Sequence, residues 1–547
     1  MKNKPNTILN FNPINEEDIL KIIQNMESKK SSGNDNIPCF IIKDLANELA
    51  PALVTAINKS LASGVFPDLL KIAKVIPLYK NKGPNTLFEN WRPISLLPAL
   101  SKIYERVIYN QIYNYFTTNS LFANNQYGFR KCSSTEYAIL EFQDKIKKIL
   151  DARQTPFAVY LDLSKAFDTI DHSTLLHKLR FYGFSDSALK LLESYLTDRY
   201  QFIQMEDICS DTIGMEVGVP QGSILGPLLF IIYVNDIPNA SQLLNAILFA
   251  DDTSLFSSLT TFMVHNVANI NQINGELDNI FNWLCANKLS LNVSKTKYMI
   301  FTNKNDPVPH PSEKLKINGK NLDLVQEFNF LGIMLDSKLT WEAHAKKVAS
   351  KISRTLGVLS KVKNYTPACT MKTLYQTLVV PRLNYGIKAW GFAHAKLFKI
   401  QKKAVRIITN SKYNAHTDPI FKREKLLKIE DLFKISCMTL HYKIERAELN
   451  VIPIYFKTLT IRNHDIHGYA TRRTELRPAN TNFKSTRDCL RSFLPELILT
   501  FPDNILSQIF KVKLPTFKRL VKDYLISKYS SVCLKRPCTV CGTDLLL

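Results

Sequence analysis

The sequence has no apolar run long enough to cross a bilayer. Its longest, Ile224–Val234, falls short of the roughly 20 residues that a spanning helix needs and contains Gly226 and Pro227. The first residues, Met1-Lys-Asn-Lys-Pro5, lack the hydrophobic centre of a secretory signal, and there is no lipidation motif or basic amphipathic anchor. These absences exclude a membrane partner and lead us to expect an intracellular protein, with nucleus and cytoplasm both open. A disulfide framework is excluded too, because the ten cysteines are scattered singly. Only Cys533, Cys538 and Cys541 cluster, and no fourth ligand lies near them to complete a zinc shell. Negative charge is also scarce: 71 Lys and Arg face 48 Asp and Glu, a net charge of +23. Such an excess points to a polyanion, and nucleic acid fits better than an anionic membrane. The tail from residue 396 holds 29 Lys and Arg against 13 Asp and Glu, most of the imbalance.

What is present is an ordinary folded composition, 45% hydrophobic and 22% charged, in a 547-residue chain long enough for about three or four domains. Ile19, Ile22, Ile23 and Met26 have helical spacing; the pattern breaks at Ser31–Pro38 and resumes as helix over 39–63. A strand is expected over Ala73–Tyr79, followed by a polar loop from Lys80 and a strand-like run, Trp91–Leu97, that carries Arg92. Helices over 101–116 and 134–150 flank the loop Gln126-Tyr-Gly-Phe-Arg130. Phe157–Leu163 reads as a strand buried on both faces, yet it carries Asp162. Met215–Phe230 is a Gly- and Pro-rich entry, with Gln221 its one long polar side chain, into a helix expected to begin at Pro227. In Ala246–Phe256 two short apolar runs meet at Asp251-Asp252, a tight hairpin with both carboxylates in its turn. An amphipathic helix follows (Ile273, Leu277, Ile280, Phe281, Leu284), then a turn and strand over 289–301 with Lys295 and Lys297, and a single strand over Phe328–Leu335. Trp341–Val362 is a helix whose Lys346, Lys347, Lys351 and Arg354 suit either solvent or a phosphate backbone.

The chemistry rests on the carboxylates. Asp162 in an apolar strand is costly unless it is paired or bound to a metal. Asp251 and Asp252 repel each other; a solvated turn and a bound divalent cation are the two resolutions. Three carboxylates on adjacent strands could hold two Mg²⁺ ions about 3.5–4 Å apart, the arrangement that activates an attacking oxygen and stabilises a leaving one. Strand alternation separates the pair, making Asp162 and Asp251 the main ligands and leaving Asp252 nearer the edge. Lys80 and Arg92 could grip a triphosphate, one as a point charge and one as a fork, or be plain surface charges. Phe167 taken alone suits a core position.

Tyr160-Leu-Asp-Leu-Ser-Lys-Ala-Phe-Asp168, Gly218-Val-Pro-Gln-Gly-Ser-Ile-Leu-Gly-Pro227, Phe249-Ala-Asp-Asp252 and Phe330-Leu-Gly332 resemble, in order, the palm motifs of reverse transcriptases. Trp91-Arg-Pro-Ile-Ser-Leu-Leu97, Gln126-Tyr-Gly-Phe-Arg130 and Pro381-Arg-Leu-Asn-Tyr-Gly386 narrow the resemblance to jockey-type non-LTR (LINE-like) retrotransposons, from about residue 10 into the basic tail. The resemblance implies an α+β right-hand polymerase. Residues 1–75 would be an N-terminal helical extension, 76–335 fingers and a palm with an antiparallel sheet, 336–394 a helical thumb, and 395–547 a basic, mainly helical region. It implies RNA-directed DNA synthesis from an RNA template, a DNA primer and dNTPs, with two Mg²⁺ ions, or Mn²⁺ in their place, on Asp162, Asp251 and Asp252. Lys80 and Arg92 would hold the triphosphate, Gln221 the nucleotide or template, and Phe167 would exclude a 2′-hydroxyl. Lys295 or Lys297 would protonate the leaving pyrophosphate. The family's endonuclease has no counterpart ahead of the polymerase motifs, so nicking is expected from another chain or from a longer parent. The rival reading is an inactive RNA-binding remnant of a mobile element; an RNA-templated RNA polymerase is disfavoured by Phe167.

Overall fold

Seven consecutive residues, Thr155–Leu161, are all buried, and this strand organises the molecule. The computed structural model describes residues 5–531 apart from 82, 260–266, 304–305, 308–312, 447, 449–459, 463–475 and 479–489. Cys533, Cys538 and Cys541 lie outside the described residues.

The strands are, in chain order, β1 (Ile72–Tyr79), β2 (Trp91–Leu96), β3 (Thr155–Leu161), β4 (Arg199–Met205), β5 (Ile208–Cys209), β6 (Ile213–Met215) and β7 (Asn245–Phe249). β8 (Asp252–Leu259), β9 (Lys297–Ile300), β10 (Lys316–Ile317), β11 (Lys320–Asn321), β12 (Asp323–Leu324), β13 (Glu327–Phe330) and β14 (Ile333–Asp336) follow. One sheet has the order β2-β1-β4-β5, with β6 also on β4; the central sheet has the order β12-β9-β3-β8-β7. In the central sheet β3 lies antiparallel to both neighbours, pairing Leu161 with Thr253 and Tyr160 with Lys297.

Because side chains alternate along a strand, β3 feeds two cores. Phe157, Val159 and Leu161 join a first core, which also contains the helices α1 (Glu16–Gln24), α2 (Cys39–Asp44), α3 (Ala46–Ser63) and α4 (Ala99–Thr118). Ala158 and Tyr160 join a second core on the other face, with α5 (Thr135–Asp151) and the β13–β14 hairpin. Tyr160 stacks on Phe328 there, ring centroids 3.9 Å apart. The first core continues through α6 (His172–Phe181), α7 (Asp186–Leu196), α8 (Leu225–Tyr233) and α9 (Val267–Ala286). The second continues through α10 (Glu342–Val362) and the C-terminal helices. Side chains on both sides of residue 395 share that core. Buried Gln401 donates to the Tyr375 hydroxyl (3.0 Å) and the Leu427 carbonyl (3.0 Å), and accepts the Ile429 N–H (2.8 Å). No helix among the described residues is long and apolar enough to cross a membrane.

Several elements differ from the sequence reading. Phe328–Leu335 is not one strand but the hairpin β13–β14, because Leu331 and Gly332 both take positive φ (45° and 88°) and reverse the chain. The helix after the Gly-rich loop begins at Leu225, two residues before Pro227. Its start is held by the carboxylate of buried Glu105, which accepts the N–H groups of Ile224 (2.6 Å) and Leu225 (3.1 Å) and so satisfies amides at the helix entry. Asp162 falls just beyond β3 and is half-buried, so its charge is not trapped inside the strand.

Candidate active site

The hairpin β7–β8 is tight, with a turn one residue earlier than expected. Phe249 pairs with Asp252, so Ala250 and Asp251 form the turn and Asp252 is the first residue of β8. Ala250 has φ 56°, the positive value that two-residue hairpin turns demand at their first central position and that a residue with a Cβ adopts only under constraint. The constraint comes from the loop at 125–128. Leu248 donates to the Asn125 carbonyl (2.9 Å), and its own carbonyl accepts from Tyr127 (2.8 Å). Fully buried Gln126 accepts the N–H groups of Gly128 (2.8 Å) and Ala250 (3.2 Å) on one side-chain oxygen. Gly128 has no room for a side chain, since a Cβ there would run into the Ala250 nitrogen.

Asp162 is brought beside this turn by the pairing of β3 with β8. Its backbone is pinned by the loop before β9: its N–H faces the Thr296 hydroxyl at 3.4 Å, and its carbonyl accepts from Asn292 (2.8 Å). The carboxylates feel one another. Asp251 is held above the usual carboxylate range by loss of hydration, with Asp162 adding to the rise and Arg92 opposing it. Asp252 is pushed up to about 6, first by desolvation and then by Asp251 and Asp162. Both side chains nevertheless keep substantial solvent-exposed surface, so water and ions reach them. Among the described residues, no group of three or more His, Cys, Asp and Glu side chains is drawn into a ready-made cation cage. Carboxylates that oppose one another's ionisation without closing a cage suit a hard cation that takes its remaining oxygens from water and phosphate. Magnesium fits that donor set.

Around the carboxylates the expected residues divide. Arg92, on β2 opposite Leu78, is exposed and near enough to Asp251 to stabilise its charge. Lys80 is exposed, but its ammonium is bound to the Glu89 carbonyl (2.6 Å) within its own loop. Phe167 is half-buried, stacked on Phe230 (4.5 Å) and met edge-on by Phe129 (6.0 Å). Gln221 donates to Asp168 (2.7 Å), and its carbonyl accepts from Ser95 of β2, which ties the Gly-rich loop to the first sheet. Lys297 is engaged by Asp323 (2.6 Å) and the Ser294 carbonyl (2.6 Å). Lys295 sits exposed in the turn beside Asp162, with no side-chain partner among the described residues. The sequence reading missed three contributors: Gln126, Gly128 and Phe129. The signal for them was the compact run Gln126-Tyr-Gly-Phe-Arg130, read as a loop and as part of the family resemblance but given no role at the site.

Residues 79–335 match the family model described as reverse transcriptase (RNA-dependent DNA polymerase). The chain is 30% identical over 457 residues to the probable RNA-directed DNA polymerase from transposon BS of Drosophila melanogaster, an alignment covering 79% of this chain and 48% of that protein. It is 26% identical over 430 residues to the RNA-directed DNA polymerase from mobile element jockey of the same organism, covering 76% and 46%. To the retrovirus-related Pol polyprotein from type-1 retrotransposable element R2 of Popillia japonica it is 25% identical over 311 residues, covering 53% and 47%. The chain thus spans about half the length of the curated relatives it matches.

Proposed function

We propose, from the match of residues 79–335 to the reverse transcriptase family model, that the chain is an RNA-directed DNA polymerase of a jockey-type non-LTR retrotransposon. It would add deoxynucleotides to the 3′-hydroxyl of a DNA primer on an RNA template. The observation that carries this reading is the convergence of Asp162 and the Ala250–Asp251 turn, where the Asp162 charge adds to the raised proton affinity of Asp251 and Asp252. In this reading the β1-β2-β4 sheet serves as fingers, the β3 sheet as palm, 336–394 as thumb and 395–547 as a basic helical region.

Asp162 and Asp251, with Asp252 beside them, would hold Mg²⁺, which lowers the pKa of the attacking hydroxyl and neutralises the departing pyrophosphate. The residues do the positioning. Arg92 extends a fork of donors toward the triphosphate next to Asp251, and Lys80 joins it by leaving the Glu89 carbonyl. Gln221, oriented by Asp168, lies beside the nucleotide, and the Phe167 ring, braced by Phe230 and Phe129, closes the space that a 2′-hydroxyl needs. For the proton delivered to pyrophosphate, Lys295 is favoured over Lys297, because the Lys297 ammonium is already engaged by Asp323.

The test is extension of a DNA primer on an RNA template with Mg²⁺ and dNTPs, beside the Asp251→Ala variant. We expect extension by the unaltered chain and a loss of at least a hundredfold in the variant. Tight RNA binding without extension would leave only an RNA-binding remnant, and extension indifferent to Asp251→Ala would remove the hairpin from catalysis.

A further inference from the structure

Away from the carboxylates, a cavity of about 710 Å³ opens where four segments of the chain meet. Its walls are the first turn of α5, the residues Asn384 and Lys388 that follow α10 in the chain, and the Ile429–Glu445 and Leu514–Ser527 helices, which contribute Lys443 and Lys518. We propose that this cavity is a phosphate site that receives the sugar–phosphate backbone of a nucleic-acid strand outside the reaction centre.

The charges around it are unbalanced. Two acidic side chains line the cavity, and both are already held: Glu136 by Lys388, and Glu448 by Arg446 at 3.1 Å. Lys443 and Lys518 have no anionic partner among the described residues. Lys443 and Lys388 both lie close enough to act on Lys518. Lys518 is held below the usual lysine range, first by burial and then by Lys443 and Lys388. Lysines on separate elements gain nothing from being gathered unless an anion completes the set.

The neutral donors agree. The Ser133 hydroxyl is buried and has no hydrogen-bond partner among the described residues, an arrangement that costs stability unless a further group completes it. It sits beside the start of α5, a helix of 17 residues capped by Ser134, where amides and the helix dipole favour negative charge. Ammonium groups, a free hydroxyl and a helix start are the donor set for a phosphate. A backbone phosphate is favoured over a free one because the cavity is open and its wall runs on to the β13–β14 turn: the Tyr385 hydroxyl touches both Thr135 Oγ1 (3.2 Å) and the Leu331 carbonyl (2.5 Å). The inference takes from the polymerase reading only that the ligand is nucleic acid.

The experiment compares the full chain with Lys443→Ala/Lys518→Ala, Ser133→Ala and a control pair on a remote surface, Lys59→Ala/Lys190→Ala. Binding of a primer–template duplex is titrated across salt concentrations, melting temperatures are recorded for each variant, and inorganic phosphate is titrated separately. We expect the double variant to bind about tenfold more weakly at 0.1 M salt, with the log–log salt slope smaller by about 1–2. Ser133→Ala, which removes no charge, is expected to weaken binding about threefold with its slope unchanged, and the control pair to change affinity less than twofold. Equal losses in the double variant and the control pair would overturn the site, and so would normal binding by Ser133→Ala. Phosphate binding that the double variant loses while its duplex affinity stays normal would overturn the assignment to a strand. Absence of extension in every protein, with the binding differences intact, would strike the polymerase reading alone.

Discussion

At the scale of single residues, the sequence was most informative where a side chain conflicts with its surroundings. Asp162 at the end of an apolar strand and two adjacent aspartates in a hairpin are each costly, and both were legible for that reason. Phe167 was legible only through resemblance, because nothing in its own neighbourhood distinguishes it from a core residue. Its bracing by Phe230 and Phe129 yields a prediction. Phe167→Ala should admit ribonucleotides, measured as the ratio of ribo- to deoxynucleotide incorporation on one template, and should lower stability by about 3 kcal/mol as the two rings lose their partner. An unchanged ratio would remove the ring from sugar selection. Asp252 gives the second. Its folded-state pKa of about 6 lies above its ordinary value of 3.8, so the folded state binds the proton more tightly than the unfolded one. The associated stability is complete below 3.8 and is lost as pH rises through about 6. Asp252→Asn should therefore raise the melting temperature of the metal-free protein at pH 8 and leave it unchanged at pH 4. A cation at the carboxylates competes with that proton, so the Mg²⁺-induced rise in melting temperature should shrink as pH falls below about 6.

At the scale of elements, periodicity identified the helices and strands but not the joints between them. Phe328–Leu335 reads as one apolar run, and its reversal depends on backbone angles at Leu331 and Gly332 that no apolar pattern encodes. The β7–β8 turn slipped by one residue for a similar reason: its geometry is imposed from outside by the loop at 125–128, a contact between segments distant in sequence. That loop is an element-scale target. Gly128→Ala would set a Cβ against the Ala250 backbone nitrogen, which cannot rotate away, so the turn carrying Asp251 must move. Gln126→Leu would leave the Ala250 and Gly128 amides without an acceptor, at a cost of about 1–3 kcal/mol for each buried donor. Both variants should still bind primer–template at near-normal affinity while kcat falls at least tenfold, because they shift the carboxylates and leave the nucleic-acid surfaces alone. A parallel loss of affinity and turnover would mean that the loop supports the fold as a whole.

At the scale of the whole molecule, composition announced a polyanionic partner and a concentration of positive charge beyond residue 395, but charge density says nothing about where a core ends. A tail so rich in Lys and Arg looks separable from sequence. Its buried residues belong to the second core instead: Leu397, Ala404, Val405 and Phe433 pack together with Tyr375, Trp390 and the β13–β14 hairpin. The amphipathic stripe of the Ala395–Ile408 helix faces inward while its lysines face out, so the same helix supplies both the charge and the packing. This sets the outcome of cutting the chain after residue 394. If the tail were an appended nucleic-acid arm, the truncated protein would melt near the temperature of the full chain and lose only affinity. Removal of the Gln401 hydrogen bonds and the apolar surface around Trp390 and Tyr375 should instead expose a patch of the kind that drives association. We therefore expect the 1–394 protein to aggregate, or to melt at least 10 °C below the full chain, and to lose extension activity even on short primer–templates supplied at saturating concentration. Light scattering and a thermal melt on the two proteins decide it, and a stable, monomeric 1–394 protein with normal turnover would show that the second core closes without the tail.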